Sequence, residues 1–456
     1  MYKVALFFTL ITFASATLDP FIATTHTGYT PSDAGIASSP NRILTAVNGN
    51  LSLFNKDGTR RDSNNANTFH GYSFVFDPRV NWDFFDERLI VVQVSTTSPS
   101  TSRIVVATSK SADPDSFNTE LWSRIDIEIF EYSGETHWAD FPIVGIDEFN
   151  LYIRYNAFSS TNSYRGNYFI TIPKTNLMLD RTLERSEYHA QSVSPSLGRN
   201  AFTTLTEAKL GEPLYTVQYS PSGITMFEVV NRASGAPELS NFNVINFDII
   251  RSGYSESGTV QKGSSVQVLS GPSHFNNAYY KDGMTYVVAS FEGDDERYLV
   301  VYRVDHENNV VDEIQEISDN SYLFFPSLAV DKFQNVGILA YSSSANRYIS
   351  TAHTSMDSEG TIIEPLRMEH DGTFSYARTR YGDYSATAID PDGVNIWSLS
   401  QIPSGSSRWN AWVTNICPSC TTEPTECEEG YIDFPECDNC AENYYRNGTL
   451  CLECHD

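Results

Sequence analysis

A strand, a polar turn and a second strand recur along this chain, and that repeat constrains its fold more than any other feature. Trp138-Ala139-Asp140-Phe141-Pro142-Ile143-Val144-Gly145-Ile146-Asp147 runs almost position for position with Tyr381-Gly382-Asp383-Tyr384-Ser385-Ala386-Thr387-Ala388-Ile389-Asp390. Phe325-Pro326 to Asp331 and Asp77-Pro78 to Asp83 keep the same Pro and Asp spacing. After each Asp comes a polar or Gly-containing turn and a fresh apolar run: Leu89 to Val92, Leu151 to Ile153, Val336 to Leu339, Val394 to Trp397. Alternating apolar residues before the Asp bury one face of a strand, and a short carboxylate accepts backbone N–H bonds in the turn. Asp83, Asp147, Asp331 and Asp390 therefore read as structural turn residues, and the aromatic and Pro residues opening each unit as wedges against a neighbour. Weaker copies near Ser38-Ser39-Pro40-Asn41, Ser220-Pro221-Ser222-Gly223 and Tyr280-Lys281-Asp282-Gly283 bring the total to about seven units, mostly ~50–70 residues apart, the spacing of propeller blades.

The runs between these units, such as Arg103-Ile104-Val105-Val106 and Tyr298-Leu299-Val300-Val301-Tyr302, are rich in β-branched and aromatic residues, as strands are. Only Asp180 to Glu187 offers a short helix. The expectation is an all-β chain, a β-propeller of about seven blades over residues 17–415, because radial repetition lets so long a β chain avoid exposed edges. A pair of stacked β-sandwiches is the competing architecture.

Met1-Tyr2-Lys3 precedes an apolar run from Val4 to Phe13 and the small-x-small sequence Ala14-Ser15-Ala16, the pattern of a cleaved secretion signal over residues 1–16. The expected location is outside the cell, secreted or associated with its surface, without membrane insertion. With 57 acidic against 30 basic residues and a net charge of −27, the chain repels nucleic acid and anionic membranes. No His-Glu-x-x-His or Gly-x-Ser-x-Gly motif occurs, so neither a zinc protease nor an α/β-hydrolase site can be assigned. The nine histidines stand singly, and no catalytic residue can be chosen among so many carboxylates. Asp294-Asp295-Glu296 offers oxygen ligands suited to Ca²⁺, or is an exposed hairpin tip; no other cofactor is implied. Asn50-Leu51-Ser52 and Asn447-Gly448-Thr449 make Asn50 and Asn447 glycan acceptors.

All seven cysteines, Cys417, Cys420, Cys427, Cys437, Cys440, Cys451 and Cys454, fall in the last forty residues. Outside the cell such spacing favours disulfides over zinc, so residues 416–456 read as a separate stapled module with one cysteine left over. From Thr421 to Asp456 it holds ten acidic residues and a single Arg.

The Pro-x-x-x-x-Asp units loosely resemble repeats of secreted sialidase-like propellers, although the Ser-x-Asp-x-Gly-x-Thr-Trp box is missing and Tyr168-Phe169-Ile170-Thr171-Ile172-Pro173 lacks the Arg of the sialidase Arg-Ile-Pro. The tail, with Gly430-Tyr431, Tyr444-Tyr445 and Gly448 before Cys451, resembles EGF-like or furin-like cysteine repeats, as in cell-surface coat or mastigoneme-type proteins. These resemblances imply an extracellular structural or adhesive protein, assembling with itself or other extracellular proteins through its tail as a filament or coat subunit. The alternatives are a lectin-like propeller binding glycans through aromatics on its open face, and a degenerate glycoside hydrolase or lyase.

Overall fold

The computed structural model describes residues 19–96, 102–129, 137–193, 200–220, 223–234, 236–246, 258–271, 275, 277–308 and 310–420, and the backbone of four short strands beyond them. Seven four-stranded antiparallel blades make up the molecule, their first strands being Gly35–Ser38, Val75–Asp83, His137–Ile146, Asn200–Leu205, Ala278–Lys281, Tyr322–Val330 and Ala386–Ile389. Each first strand packs against the first strands of the blades on either side, and the last against the first, so the seven close into a ring about an axis. The fold is a seven-bladed β-propeller.

Within a blade the chain steps outward from the axis. Blade 1, for example, runs Gly35–Ser38, Arg42–Val47, Asn50–Asn55 and Arg60–Asn65. Blade 7 is completed from the other end of the chain: Phe21–Thr25 pairs antiparallel with Arg408–Ile416 as its outermost strand. Blades 4 and 5 are also stitched along the axis by a parallel ladder of their first strands, Thr203 to Leu205 against Ala278 to Tyr280. The core is a series of layers between blades, such as Ile104, Ile127, Leu151 and Ile170 between blades 2 and 3 and Phe141, Tyr152, Phe202 and Leu214 between blades 3 and 4. Gly145 is required in that second layer, because a Cβ there would lie 2.8 Å from the Phe202 ring.

The turn aspartates end the first strands of blades 2, 3, 6 and 7. Asp83 accepts from the Phe85 N–H, Asp147 from Phe149 and Asn150, Asp331 from Phe333 and Asn335, and Asp390 from Asp392. Ser39 and Asp282 stand at the corresponding turns of blades 1 and 5. Blade 4 departs from expectation: Ser220-Pro221-Ser222-Gly223 joins its second and third strands, and its first strand, Asn200–Leu205, ends in a long connection without a turn aspartate. Asp180 to Glu187 is likewise not a helix beyond the 3-10 turn Arg185–Glu187 capped by Glu184; among the described residues the α-helix is Ala66–His70, capped by Asn65.

The propeller reaches past the expected boundary at residue 415. Ile416 ends a blade 7 strand and is buried, and Cys417 and Cys420 form a disulfide around Pro418 and Ser419, which are buried against blade 6. The side chains of Cys427, Cys437, Cys440, Cys451 and Cys454, Asn447 and the leader at 1–16 lie outside the described residues. No helix among the described residues is long and apolar enough to cross a membrane.

Candidate active site at the channel mouth

First strands all run in the same sense, so their beginnings meet around one mouth of the central channel. At that rim the repeat carries a second feature. Six residues before the turn aspartate of blades 2, 3 and 6, and six before Ser39 in blade 1, the backbone takes a positive φ: 52° at Asp77, 50° at Phe141, 47° at Phe325 and 50° at Asp33. In blades 2, 3 and 6 this step is a β-bulge, and the next residue is proline. A left-handed conformation at a non-glycine residue is uncommon, and bulges of this kind re-aim side chains. In blades 1 and 2 the residue at this step is an aspartate, Asp33 and Asp77, and both are buried.

Four aspartates converge there from four consecutive blades: Asp383 of blade 7, Asp33 of blade 1, Asp77 of blade 2 and Asp140 of blade 3. They form one hydrogen-bonded arc. The Asp383 N–H donates to Asp33 Oδ1 at 3.3 Å, and Asn48 Nδ2 donates to Asp33 Oδ2 at 2.8 Å. Asn48 Oδ1 accepts the Asp77 N–H at 2.8 Å, and Asp77 Oδ2 accepts the Phe141 N–H at 2.9 Å. The Asp77 and Asp140 carboxyl groups are neighbours, and each affects the proton affinity of the other. Arg380 holds Asp383 at 2.5 Å on the outer side. Beneath them Arg79 lies 3.6 Å from the Tyr384 ring centre and donates to the Pro142 carbonyl at 2.7 Å.

Burial sorts the four by role. Asp33 and Asp77 are buried, whereas Asp140 and Asp383 are half-buried. Burial, followed by the Asp77 charge and its hydrogen bond, pushes Asp140 up to about 8. Burial, followed by the charges of Asp383 and Asp77, holds Asp33 well above the usual carboxylate range; burial and Asp383 also raise Asp77. Carboxyl groups crowded out of water cannot all ionise. Asp140 is thus a carboxylic acid near neutral pH at an open edge, which is what a general acid requires. Below the mouth the channel narrows to a cavity of about 90 Å³ lined by Asn81, Thr204, Asn277 and Thr387, too small for a sugar ring. A larger void of about 380 Å³ between blades 2 and 3 includes His137, Tyr155, Tyr168 and Arg185, but its carboxylate, Glu128, is bonded to Arg103.

None of these four aspartates was selectable from composition, yet a signal was present. Alignment of the repeat sets Asp140 on Asp383, and Asp77 one step along. The turn aspartates lie at the other ends of the same strands and serve different partners: Asp83 pairs with Lys174 at 2.7 Å, Asp147 with Arg232 at 3.2 Å, and Asp390 with Lys56. Asp294 and Asp295 lie in the turn between Met284–Glu292 and Arg297–Asp305, and Glu296 accepts from Ser318; no group of three or more His, Cys, Asp or Glu poised for a metal ion occurs among the described residues. Asn50, the expected glycan acceptor, has its amide nitrogen donating to Ser63 Oγ at 3.0 Å and the Asn64 carbonyl at 3.3 Å, bonds that a glycan on that nitrogen would displace.

No family model matches the chain, and no curated protein matches it. Among solved structures it is similar to the Fusarium graminearum α-L-arabinofuranosidase Arb93A in complex with an iminosugar inhibitor (8% identity, 88% of this chain and 98% of that one, TM-score 0.42). It is also similar to the Penicillium chrysogenum α-L-arabinanase complexed with arabinobiose (9% identity, 88% and 98%, TM-score 0.42). The Trypanosoma rangeli sialidase in complex with sialic acid gives 10% identity over 83% of this chain and 63% of that one, with a TM-score of 0.41.

Proposed function

We propose that this chain is a secreted propeller that cleaves neutral glycans at the channel mouth, with Asp140 as general acid. The observation that carries the reading is the meeting of four aspartates from four consecutive blades at one channel mouth, with Asp140 half-buried beside Asp77 and raised by burial and by the Asp77 charge. Asp140 gives its proton to the glycosidic oxygen as the bond from that oxygen to the anomeric carbon breaks. Water adds to the anomeric carbon and its proton passes to the Asp383 carboxylate across the mouth. Asp77 acts through Asp140, as a positioning residue. A neutral substrate is favoured because the two arginines at the arc are already engaged within the protein, Arg380 with Asp383 and Arg79 with the Pro142 carbonyl and the Tyr384 ring, rather than with an acidic sugar.

A filament or coat subunit has no need of buried carboxyl groups gathered at its axis, and the adhesive reading rests on tail residues whose side chains lie outside the described set. Binding of glycans without turnover is the second reading. It is favoured by one observation: Asp33 and Asp77 are buried and already bonded within the protein.

The test is release of reducing sugar from neutral oligosaccharides and nitrophenyl glycosides by the wild type, D140N and D77N. Loss of a general acid lowers kcat about 10²–10⁴-fold in D140N. The wild-type kcat/KM is expected to fall above about pH 8 as Asp140 loses its proton. Unchanged turnover in D140N would remove the assignment; binding without turnover in the wild type would establish the second reading instead.

A further inference from the structure

We infer that a glycan chain leaving the mouth is carried outward over blade 3 on a ladder of three aromatic rings, Trp138, Phe158 and Tyr164; this rests on the function proposed above. Trp138 stands two residues before Asp140 on the first strand of blade 3, on the same face by strand alternation. It pairs directly with Phe158 of the second strand, and Phe158 with Tyr164 of the third. Ring centres are 5.1 Å apart in the first pair, nearly parallel, and 5.7 Å in the second, edge to face. The ladder therefore begins beside the acid and leads away from the axis along the same rim.

These rings are not core. None of them belongs to the packed layers on either side of blade 3. Trp138 and Phe158 are half-buried, and Tyr164 is 44% exposed, its hydroxyl accepting from Asn167. Asn156, half-buried and paired in register with Asp140, places an amide between acid and ladder. Flat aromatic faces beside an amide suit the C–H faces and hydroxyl groups of sugar rings. Nothing in the ladder is charged, which matches a neutral chain. The substrate class is thus a linear neutral oligosaccharide that extends beyond the cleaved bond, rather than a small glycoside.

Tyr164→Ala tests this, since so exposed a side chain can be removed with little effect on folding; Trp138→Phe, which keeps an aromatic ring, is the second variant, and both are checked by thermal melting. The probes are arabino-, xylo- and cello-oligosaccharides of increasing length, with the nitrophenyl glycoside of the sugar the wild type accepts. The wild-type KM should fall with length. Tyr164→Ala should raise KM for the longer chains about 3- to 10-fold, the size of one aromatic contact, and leave kcat and the nitrophenyl glycoside unchanged. A wild-type KM independent of length, or a loss in Tyr164→Ala equal at every length, overturns the ladder while leaving the acid in place. A wild type that neither cleaves nor binds any probe overturns the carboxyl site, and the ladder with it.

Discussion

Asp140 and Asp77 are neighbouring carboxyl groups that folding removes from water, and this bears on how stability depends on pH. Both carboxyls, and Asp33, are raised above their ordinary values by burial. A raised carboxyl contributes stability below its unfolded pKa, and that contribution is lost as pH rises through the folded value. Melting temperature should therefore be highest in mild acid and decline as pH approaches and passes about 8. Asp140→Asn, neutral throughout, should flatten that decline; an identical slope in both proteins would show that the arc does not control it. Asn48 is the neighbouring test. Its amide serves Asp33 and the Asp77 N–H while buried, so Asn48→Ala should cost about 1–3 kcal/mol in urea unfolding, the penalty for leaving such groups unpaired. The identity of these residues was visible in the repeat, but their meeting was not. Asp33 and Asp383 touch only because the ring closes, and no local pattern encodes that contact.

Strand and turn chemistry, in contrast, was readable because it is local. Alternation and the turn aspartate specify one hairpin without reference to the next, and blades 2, 3, 6 and 7 follow that pattern. What escaped was the device that joins blades. The turn aspartates of blades 2, 3 and 7 each receive a cation from the outer part of the following blade: Lys174, Arg232 and Lys56. Each cation stands one or two residues past the third strand of its blade, in the turn before the fourth, but it pairs with the preceding blade, so only the assembled ring shows the contact. Blade 4 was misread because no aspartate follows its first strand, and the Ser220-Pro221 sequence after its second strand imitates the repeat. The Lys174–Asp83 pair is the most buried of the three, with 6% and 2% of the two side chains exposed. Lys174→Met should leave Asp83 charged and unpartnered at a cost of about 3–5 kcal/mol, read as a shift in the denaturant midpoint. A cost below about 1 kcal/mol would mean that the pair behaves as an exposed one.

At the scale of the whole molecule, the two ends of the ring make different demands. Cysteine composition placed a boundary between residues 415 and 416, but Ile416 and Cys417 are both buried, and the disulfide turn that follows packs on blade 6. A chain ending after Cys420 should melt like the full-length protein, whereas one ending after Asn415 should lose about 1.5–3 kcal/mol for Ile416 alone. Equal melting of the two truncations would restore the earlier boundary. At the other end, Phe21–Thr25 leaves the ribosome before the other strands of the ring, yet its partner strand, Arg408–Ile416, is among the last parts of the ring to be made. Throughout synthesis that early strand is an unclaimed hydrogen-bonding edge. If two chains are finished side by side, each can lend its early strand to the other's last blade, giving a strand-exchanged dimer with the contacts of the monomer. Crowded synthesis, rather than any surface of the finished propeller, would then decide how much of the protein is paired.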